Sequence, residues 1–137
     1  MSTIQVDIVS AEGQLFAGEV DAVYAPAIMG EIGIHPKHAP LLTKLKPGSV
    51  RIIENGKETD FYVSGGVMEV QPSVVTILSD TAERGADIDE VAAADAKKRA
   101  EEHLAQAASD TDLARAQAEL AEAAARLHLV QKLKGKR

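Results

Sequence analysis

The chain of 137 residues contains no cysteine and no tryptophan, and only four of its residues are aromatic. Without cysteine, disulfides, thiol catalysis and thiolate metal sites are excluded, and a reducing compartment is compatible with the sequence. No stretch approaches the ~20 consecutive apolar residues that a membrane-spanning helix needs. The first residues lack the basic start and the apolar run of a secretory signal peptide. We therefore expect a protein that is soluble or held at a membrane only through partners.

Proline, glycine and aromatic residues are almost absent from the C-terminal part of the chain. All five prolines lie at or before Pro72, nine of the ten glycines lie at or before Gly85, and all four aromatic residues share that stretch. Alanine, glutamate, lysine and leucine are abundant afterwards. Glycine and proline mark turns, whereas alanine is the strongest helix former. The composition predicts a turn-rich β unit over residues 1–86, followed by a helical unit over residues 87–137.

The formal net charge of −6 is unevenly distributed. Residues 1–86 carry six basic and eleven acidic side chains, which gives −5, and residues 87–137 carry nine and ten, which gives −1. From residue 113 to the end there are six basic and two acidic residues, so this segment is locally +4. An acidic β unit argues against nucleic-acid binding. The basic segment predicts contact with an acidic partner; the alternative is that it complements the dipole at the end of a helix.

Alternation and turn signals predict an antiparallel β-sandwich or flattened barrel in the first unit. Ile4, Val6 and Ile8 alternate with polar residues, as in a half-buried strand. Asn55-Gly56 stands between two β-branched runs and predicts a tight hairpin, because a type I′ turn needs positive φ at both central residues. A second hairpin is predicted around residues 71–73.

Residues 26–47 carry four of the five prolines. Because proline cannot join a central ladder of hydrogen bonds, we expect a loop region of fixed shape at one end of the sheet. Such loops often carry binding residues; the alternative is a structural crossover between sheets.

The second unit is predicted to be an all-α, antiparallel two-helix hairpin. Asp87, followed by Glu90, has the pattern of a capping box at the start of the first helix. The polar segment 109–112 separates this helix from a second one, in which leucines recur every seven residues. The expected apolar face of the first helix consists of Ile88, Ala92, Ala96, Ala100 and Leu104.

Alanine favours each helix but buries little area between the two helices. We therefore expect that opening the hairpin at residues 109–112 costs only a few kcal/mol, within reach of a population shift driven by a partner. The alternative is a hairpin that stays closed.

Motifs for catalysis or nucleotide binding are not found in the sequence. His35 and His38 have a spacing that a metal site can use, but Pro36 prevents a regular helix there and no third ligand is close. Glu31 is a lone carboxylate in its loop, whereas acid–base catalysis needs a second group. We therefore predict a non-catalytic protein without a metal site. A stand-alone adaptor, whose sandwich binds one partner and whose helical arm binds another, also fits these features.

Several strings in order along the chain carry a resemblance to a known family. They are GEIGIHPKHAPLLT at 30–43, KPG at 46–48, SGGVMEVQP at 64–72 and SDTA at 79–82, followed by the alanine-rich hairpin. Together they resemble the epsilon subunits of bacterial F-type rotary ATP synthases, from about residue 3 to the C-terminus. The resemblance implies a non-catalytic rotor subunit of the central stalk, which couples ATP synthesis to ion (proton) translocation.

The resemblance also implies partners and a location. Such subunits sit with the gamma subunit beside the membrane ring of c subunits, peripheral to the cytoplasmic face of the bacterial inner membrane. By this resemblance, Gly30, Glu31 and Ile32 contact the c-ring and His38 contacts gamma. The sandwich is then a domain that contacts the stalk and the c-ring.

The helical hairpin of such subunits folds against the sandwich or extends into the catalytic head of alpha and beta subunits. The extended form inhibits ATP hydrolysis, so the hairpin is expected to be a regulatory arm. Lys136 and Arg137 at the end of the chain add to its basic charge. The residues expected to contact acidic segments of the beta subunits are Arg115, Arg126, Lys132 and Lys134.

Some members of this family bind ATP at the start of the hairpin through the motif Ile/Leu-Asp-x-x-Arg-Ala. The matching string here begins with Ile88 and Asp89, but Ala92 stands where the motif has arginine. A donor that pairs with phosphate is therefore missing, although Arg99 and Lys98 lie nearby in sequence. We predict weak or absent ATP binding and no cofactor.

Overall fold

The structure, a computed structural model, describes residues 2–135. Within this range ten strands form one sheet, which we call the β body, and two helices follow, which we call the helical arm. A 3₁₀ turn at Gly85–Asp87 leads from the body to α1 (Glu90–Ala105) and α2 (Asp110–Gly135). The strands are β1 Ile4–Ser10, β2 Gly13–Val20, β3 Ala22–Ala27, β4 Gly30–Ile34, β5 Leu41–Leu45, β6 Gly48–Glu54, β7 Lys57–Val63, β8 Gly66–Val70, β9 Val74–Leu78 and β10 Ala82–Arg84.

The sheet has the strand order β10-β7-β6-β3-β5-β8-β9-β1-β2, with β4 paired to β3 beside this path. It closes on itself as a sandwich around one apolar core. Ile4, Val6 and Ile8 are fully buried, so the alternation predicted for the first strand is confirmed. The predicted fold class, a mainly β sandwich followed by an all-α hairpin, is confirmed as well. Other core residues include Val23, Ile34, Val50, Phe61, Met68 and Ile77.

One strand pair departs from the antiparallel arrangement that the sequence predicted. β1 pairs in parallel with β9, with Val6 opposite Val75 and Ile8 opposite Ile77. The direction of β9 is set by its hairpin with β8, and β1 is already paired on its other edge with β2. Alternation along a strand predicts which face is buried, but it carries no information on the direction of a neighbour distant in sequence.

Both predicted hairpins are present. Asn55 and Gly56 have φ angles of 53° and 77°, as a type I′ turn requires, and they join β6 to β7. Between β8 and β9, Gln71 and Val74 exchange backbone hydrogen bonds of 2.8 and 3.3 Å.

The prediction of a loop region over residues 26–47 is wrong in part, because this segment contains β4 and β5. Pro26 itself lies in β3, where its carbonyl oxygen accepts the backbone N–H of Lys46 at 2.9 Å. Proline removes a donor but keeps its acceptor, so it is tolerated where only the acceptor is used. The other three prolines of the segment lie in the connections between strands.

The predicted cap at Asp87 is also wrong, because Asp87 ends the 3₁₀ turn and Ile88 is extended (φ −76°, ψ 129°). The N-cap of α1 is Asp89, whose carboxylate accepts the backbone N–H groups of Val91 at 2.9 Å and Ala92 at 3.3 Å. An extended residue ahead of Asp89 prevents helix formation from starting earlier.

The two helices are antiparallel, as predicted. Glu90 at the start of α1 pairs with Lys134 near the end of α2 at 3.3 Å, and His103 near the end of α1 lies 3.1 Å from Glu119. The connection is 106–109, and the Ser109 hydroxyl caps α2 by accepting the backbone N–H of Asp112 at 3.1 Å.

The predicted apolar face of α1 is wrong in part: Ile88 and Ala100 are buried as predicted, but Ala92 is not. Ala93 and Ala100 are fully buried, whereas Ala92 is exposed and Val91 is 71% exposed. Steps of four residues alone drift around a helix of 3.6 residues per turn, while a contact line alternates steps of three and four. Ala93 and Ala100 are seven residues apart and satisfy that alternation.

Candidate functional site

The helical arm is held on the β body by an apolar cluster that is distinct from the body's core. The second half of α2 lies over β6, β7 and the 3₁₀ turn. Leu129 is 1% exposed and Tyr62, from β7, is 3% exposed. We call this group the docking cluster; its buried members are Tyr62, Ile88, Ala93, Leu127, Leu129 and Val130, and Ala125 and Leu133 pack against it.

Strand β7 contributes to both the core and the docking cluster because it is covered on both faces. Successive side chains of a strand point to opposite faces. Phe61 and Val63 therefore enter the core of the body, whereas Asp60 and Tyr62 point toward the arm. All four are buried, which gives the end of β7 a continuous buried run instead of an alternating one.

Ion pairs and a hydrogen bond surround the docking cluster. Arg126 Nε and Nη2 donate to the two carboxylate oxygens of Glu83, at 2.7 and 3.1 Å, in the bidentate geometry that strengthens such pairs. Lys132 Nζ lies 3.5 Å from Asp60 Oδ1 and 3.7 Å from Glu58 Oε2. These two cations, predicted to contact the beta subunits, thus have carboxylate partners on the body in this conformation.

Tyr62 is a buried side chain of the docking cluster that carries a polar group. Its hydroxyl donates to the main-chain carbonyl oxygen of Glu122 in α2 at 3.2 Å. Burial raises the pKa of Tyr62 well above its usual value of about 10, and the charges of Glu122 and Glu83 act in the same direction. The phenol therefore stays neutral and remains a donor at physiological pH.

Two further charged groups of this contact have shifted pKa values. The hydrogen bond from Arg126 to Glu83 raises the pKa of that guanidinium. Burial raises the pKa of Glu122, and the nearby charges of Asp80 and Glu119 raise it further. Arg126 is thus stabilised in its charged form, whereas the ionised form of Glu122 is disfavoured.

A cleft of about 460 Å³ opens between the arm and the body beside these pairs. Arg99, the basic residue that lies near the missing motif arginine in sequence, lines this cleft. Ile88 instead belongs to the docking cluster and Asp89 caps α1. The charged residues that line the cleft are the carboxylates Glu12, Glu83, Glu119 and Glu122 and the guanidiniums Arg99 and Arg126, a formal excess of two negative charges.

The residues predicted to meet the c-ring lie on the β3–β4 hairpin. Glu31 is exposed and its Oε1 accepts from Arg51 Nη2 at 2.8 Å, while Ile32 packs partly buried against the core. Met29 is 94% exposed and Ile28 is 54% exposed at the same turn. Sequence reasoning missed both side chains, although two bulky apolar residues directly before a turn glycine are a signal for an exposed contact.

The other predicted contact residues lie elsewhere on the molecule. His38 is in the connection between β4 and β5, where its Nδ1 donates to the Ala39 carbonyl oxygen at 2.7 Å. Arg115 is exposed in the first half of α2, and Lys134 pairs with Glu90 inside the arm. Lys136 and Arg137 lie outside the described residues. Within residues 2–135, no group of three or more histidine, aspartate or glutamate side chains could hold a metal ion.

Comparison with known proteins identifies the family of the chain. The description "ATP synthase, Delta/Epsilon chain, beta-sandwich domain" matches residues 3–85, and "ATP synthase, Delta/Epsilon chain, long alpha-helix domain" matches residues 86–131. The chain belongs to the delta/epsilon family of ATP synthase subunits. The predicted resemblance to epsilon subunits is thereby confirmed, and with it a non-catalytic rotor subunit of an F-type ATP synthase.

Individual members of the delta/epsilon family are similar to the chain over almost its whole length. The ATP synthase epsilon chain of Hydrogenovibrio crunogenus is 58% identical to this chain. The alignment covers 96% of this chain and 92% of that protein. The epsilon chain of Nitrosococcus oceani is also 58% identical, with 98% of this chain and 96% of that protein covered.

A solved structure agrees with the delta/epsilon fold. A chain of the Euglena gracilis mitochondrial ATP synthase, solved as an assembly of OSCP, F1 and c-ring, matches with a TM-score of 0.75 at 21% identity. The match covers 99% of this chain and 82% of the Euglena chain, so the similarity includes both body and arm. No helix in residues 2–135 is long and apolar enough to cross a membrane.

Proposed function

We propose that this delta/epsilon family member couples the catalytic head of its ATP synthase to the membrane ring, with residues 1–86 as the base and residues 87–137 as a regulatory arm. The base contacts the gamma subunit and the c-ring, and the arm inhibits ATP hydrolysis when it extends toward the alpha and beta subunits. The complex lies at the cytoplasmic face of the bacterial inner membrane, and this chain meets the membrane only through the complex. Family membership supports this assignment.

The observation that carries the regulatory role is how the arm is attached. Its contact with the body consists of the docking cluster and a few side-chain pairs, separate from the core that holds the sandwich together. In α1 and in the first half of α2 the buried residues are three alanines, Ala93, Ala100 and Ala116. The apolar area that opposes release of the arm is therefore confined to the docking cluster, and each helix keeps its own backbone hydrogen bonds when that cluster opens.

Charge exchange keeps the contribution of ion pairs similar in the two conformations. Arg126 and Lys132 pair with carboxylates of the body when the arm is docked. In the extended arm the same side chains are available to acidic segments of the beta subunits. One carboxylate replaces another, so the net change in ion pairing is small, on the order of 1 kcal/mol per partly exposed pair. A small difference is what a partner-controlled switch requires.

A locked arm tests this role in the assembled complex. Because the chain has no cysteine, cysteines in place of Glu83 and Arg126 can be joined specifically in the purified chain by a short bifunctional thiol linker, before the complex is assembled. We expect the linked complex to hydrolyse ATP faster than the unlinked double variant, and as fast as a complex whose chain lacks residues 87–137. The unlinked variant is the control for loss of the ion pair.

Three outcomes separate the possibilities. Equal hydrolysis rates with and without the linker would refute an inhibitory arm and leave the chain with a coupling role alone. Slower hydrolysis after linking would mean that the docked form inhibits. Failure of the chain to co-purify with gamma and the catalytic head would instead favour the stand-alone adaptor.

Contacts of the base are proposed at Glu31, with Gly30 and Ile32, for the c-ring, and at His38 for gamma. Glu31 lies in β4 and His38 lies in the connection between β4 and β5, so a cross-linker can be placed at each contact separately. A photoreactive cross-linker on Glu31→Cys is expected to capture subunit c, and one on His38→Cys is expected to capture gamma. Cross-linking from Ser73→Cys, an exposed position on the β8–β9 turn, serves as the control.

ATP binding by this chain is proposed to be weak or absent. The motif arginine is replaced by Ala92, and the arm–body cleft has an excess of two negative charges. Arg126, one of the two guanidiniums of the cleft, is already neutralised by Glu83. Titration calorimetry with Mg-ATP on the full chain is expected to give no saturable binding in the micromolar range, and a micromolar Kd would contradict the proposal.

A further inference from the structure

A line of alternating charges crosses the outer face of the body from the β3–β4 hairpin to α2. Arg51 donates through Nη2 to Glu31 at 2.8 Å and through Nη1 to Glu58 at 3.2 Å. Lys132 Nζ then lies 3.7 Å from Glu58 Oε2 and 3.5 Å from Asp60 Oδ1. The signs alternate without a break along Glu31, Arg51, Glu58, Lys132 and Asp60, which we call the charge chain.

Sheet register explains why these side chains meet. In β7, Glu58 and Asp60 share the face of Tyr62, which is the face covered by the arm. Arg51 stands opposite Asp60 in β7 and opposite Tyr24 in β3, so it occupies the middle of the same face. The guanidinium carbon lies 4.6 Å from the centre of the Tyr24 ring, which holds it in place between the two carboxylates.

The middle of the charge chain is partly buried, whereas its end at Glu31 is 52% exposed. The side chains of Arg51 and Glu58 are each 25% exposed, and that of Asp60 is 3% exposed. Burial lowers the pKa of Arg51, but hydrogen bonds and charge from Glu31 and Glu58 outweigh it and raise the pKa overall. Charges that are partly removed from water are screened less than charges at the surface.

We propose that the charge chain couples the β3–β4 hairpin to the docking of α2, so that a cationic group bound at Glu31 weakens the docking of the arm. When Glu31 is neutralised or engaged elsewhere, Arg51 keeps one carboxylate instead of two. Its positive charge, no longer shared with Glu31, then competes more strongly with Lys132 for Glu58. The coupling within the charge chain does not depend on the proposed function. Only the use of this coupling by a cationic group of a partner rests on that function.

A double-mutant cycle on the full chain tests this coupling. Dyes on Ser73→Cys in the body and Gln117→Cys in α2 report the ratio of released to docked arm by single-molecule energy transfer. Both positions are exposed and outside the charge chain. We expect Glu31→Gln to raise the ratio about two- to fivefold when Lys132 is present, and to leave it unchanged in the Lys132→Gln background.

Two control variants exclude a general charge effect. Glu69→Gln removes the same charge from an exposed position of β8 and is expected to leave the ratio unchanged. Arg51→Lys keeps the positive charge but offers one nitrogen in place of a fork, so the effect of Glu31→Gln is expected to shrink. Raising the salt concentration to about 0.5 M should also reduce the effect of Glu31→Gln, because the Debye length shortens.

Three results would overturn the proposal. They are an equal effect of Glu31→Gln with and without Lys132, an equal effect of Glu69→Gln, and an undiminished effect in Arg51→Lys. Any of them leaves the proposed function intact, because the hydrolysis assay with the locked arm does not depend on the charge chain. Conversely, if linking the arm leaves the hydrolysis rate unchanged, the coupling within the charge chain is not affected by that result.

Discussion

Replacing Leu129 by alanine should release the arm without unfolding the body. Leu129 is 1% exposed and lies in the docking cluster, in contact range of the 3₁₀ turn at Gly85. The core of the sandwich does not include Leu129. Loss of this side chain therefore removes apolar contact from the boundary between arm and body and leaves the packing inside the sandwich unchanged.

The magnitude follows from burial. Removing about three buried carbon atoms costs about 2.4 kcal/mol at ~0.8 kcal/mol per methylene, and the cavity left behind raises the total to about 3 kcal/mol. Leu113, on the same helix, is 40% exposed, so Leu113→Ala is a matched control with the same chemical change. We expect the control to cost less than about 1 kcal/mol.

Urea unfolding of the full chain, followed with two probes, measures this effect. Circular dichroism at 222 nm reports the helices, and amide signals of the body in two-dimensional NMR report the sandwich. With a denaturant slope of about 1–3 kcal/mol per M, the helical transition of Leu129→Ala should move about 1–3 M below its wild-type midpoint. The signals of the body should shift much less.

Two results would refute this reasoning. If both probes stay superimposed and shift together, arm and body unfold as one cooperative unit and the arm is not separately released. If Leu129→Ala shifts the helical midpoint no further than Leu113→Ala does, the docking cluster does not anchor the arm.

Three other predictions concern single groups. Burial raises the folded-state pKa of Tyr62 above its unfolded value of about 10, so the stabilisation by the neutral phenol is complete below pH 10 and is lost at higher pH. Docking of the arm should weaken above about pH 10, and Tyr62→Phe should remove this pH dependence. Burial and neighbouring carboxylates raise the pKa of Glu122, so its ionisation destabilises the folded state once the pH exceeds about 4.3. Glu122→Gln should therefore raise Tm at pH 7, and a lower Tm would contradict the raised pKa. Gly66 has φ +125° and a Cβ there would overlap the Leu78 carbonyl oxygen, so Gly66→Ala should cost about 2–4 kcal/mol in thermal unfolding.

Local sequence patterns were sufficient for the parts of this protein that depend on neighbouring residues. The loss of proline and aromatic residues after the first unit separates strands from helices, because turn formation and helix propensity are properties of short segments. Asn55-Gly56 predicts its own turn, since positive φ is a local requirement. The alternation of Ile4, Val6 and Ile8 predicts the buried face of β1.

Features that join distant parts of the chain were decided only by the tertiary structure. The parallel pairing of β1 with β9, the burial of Ala93 in place of Ala92, and the extended Ile88 ahead of α1 depend on which surfaces pack together. The pairing of Lys132 with Asp60 depends likewise on the register of β7 beneath α2. Periodicity tells which side of an element is apolar, but the partner of a charge is set by three-dimensional proximity, which composition and spacing do not contain.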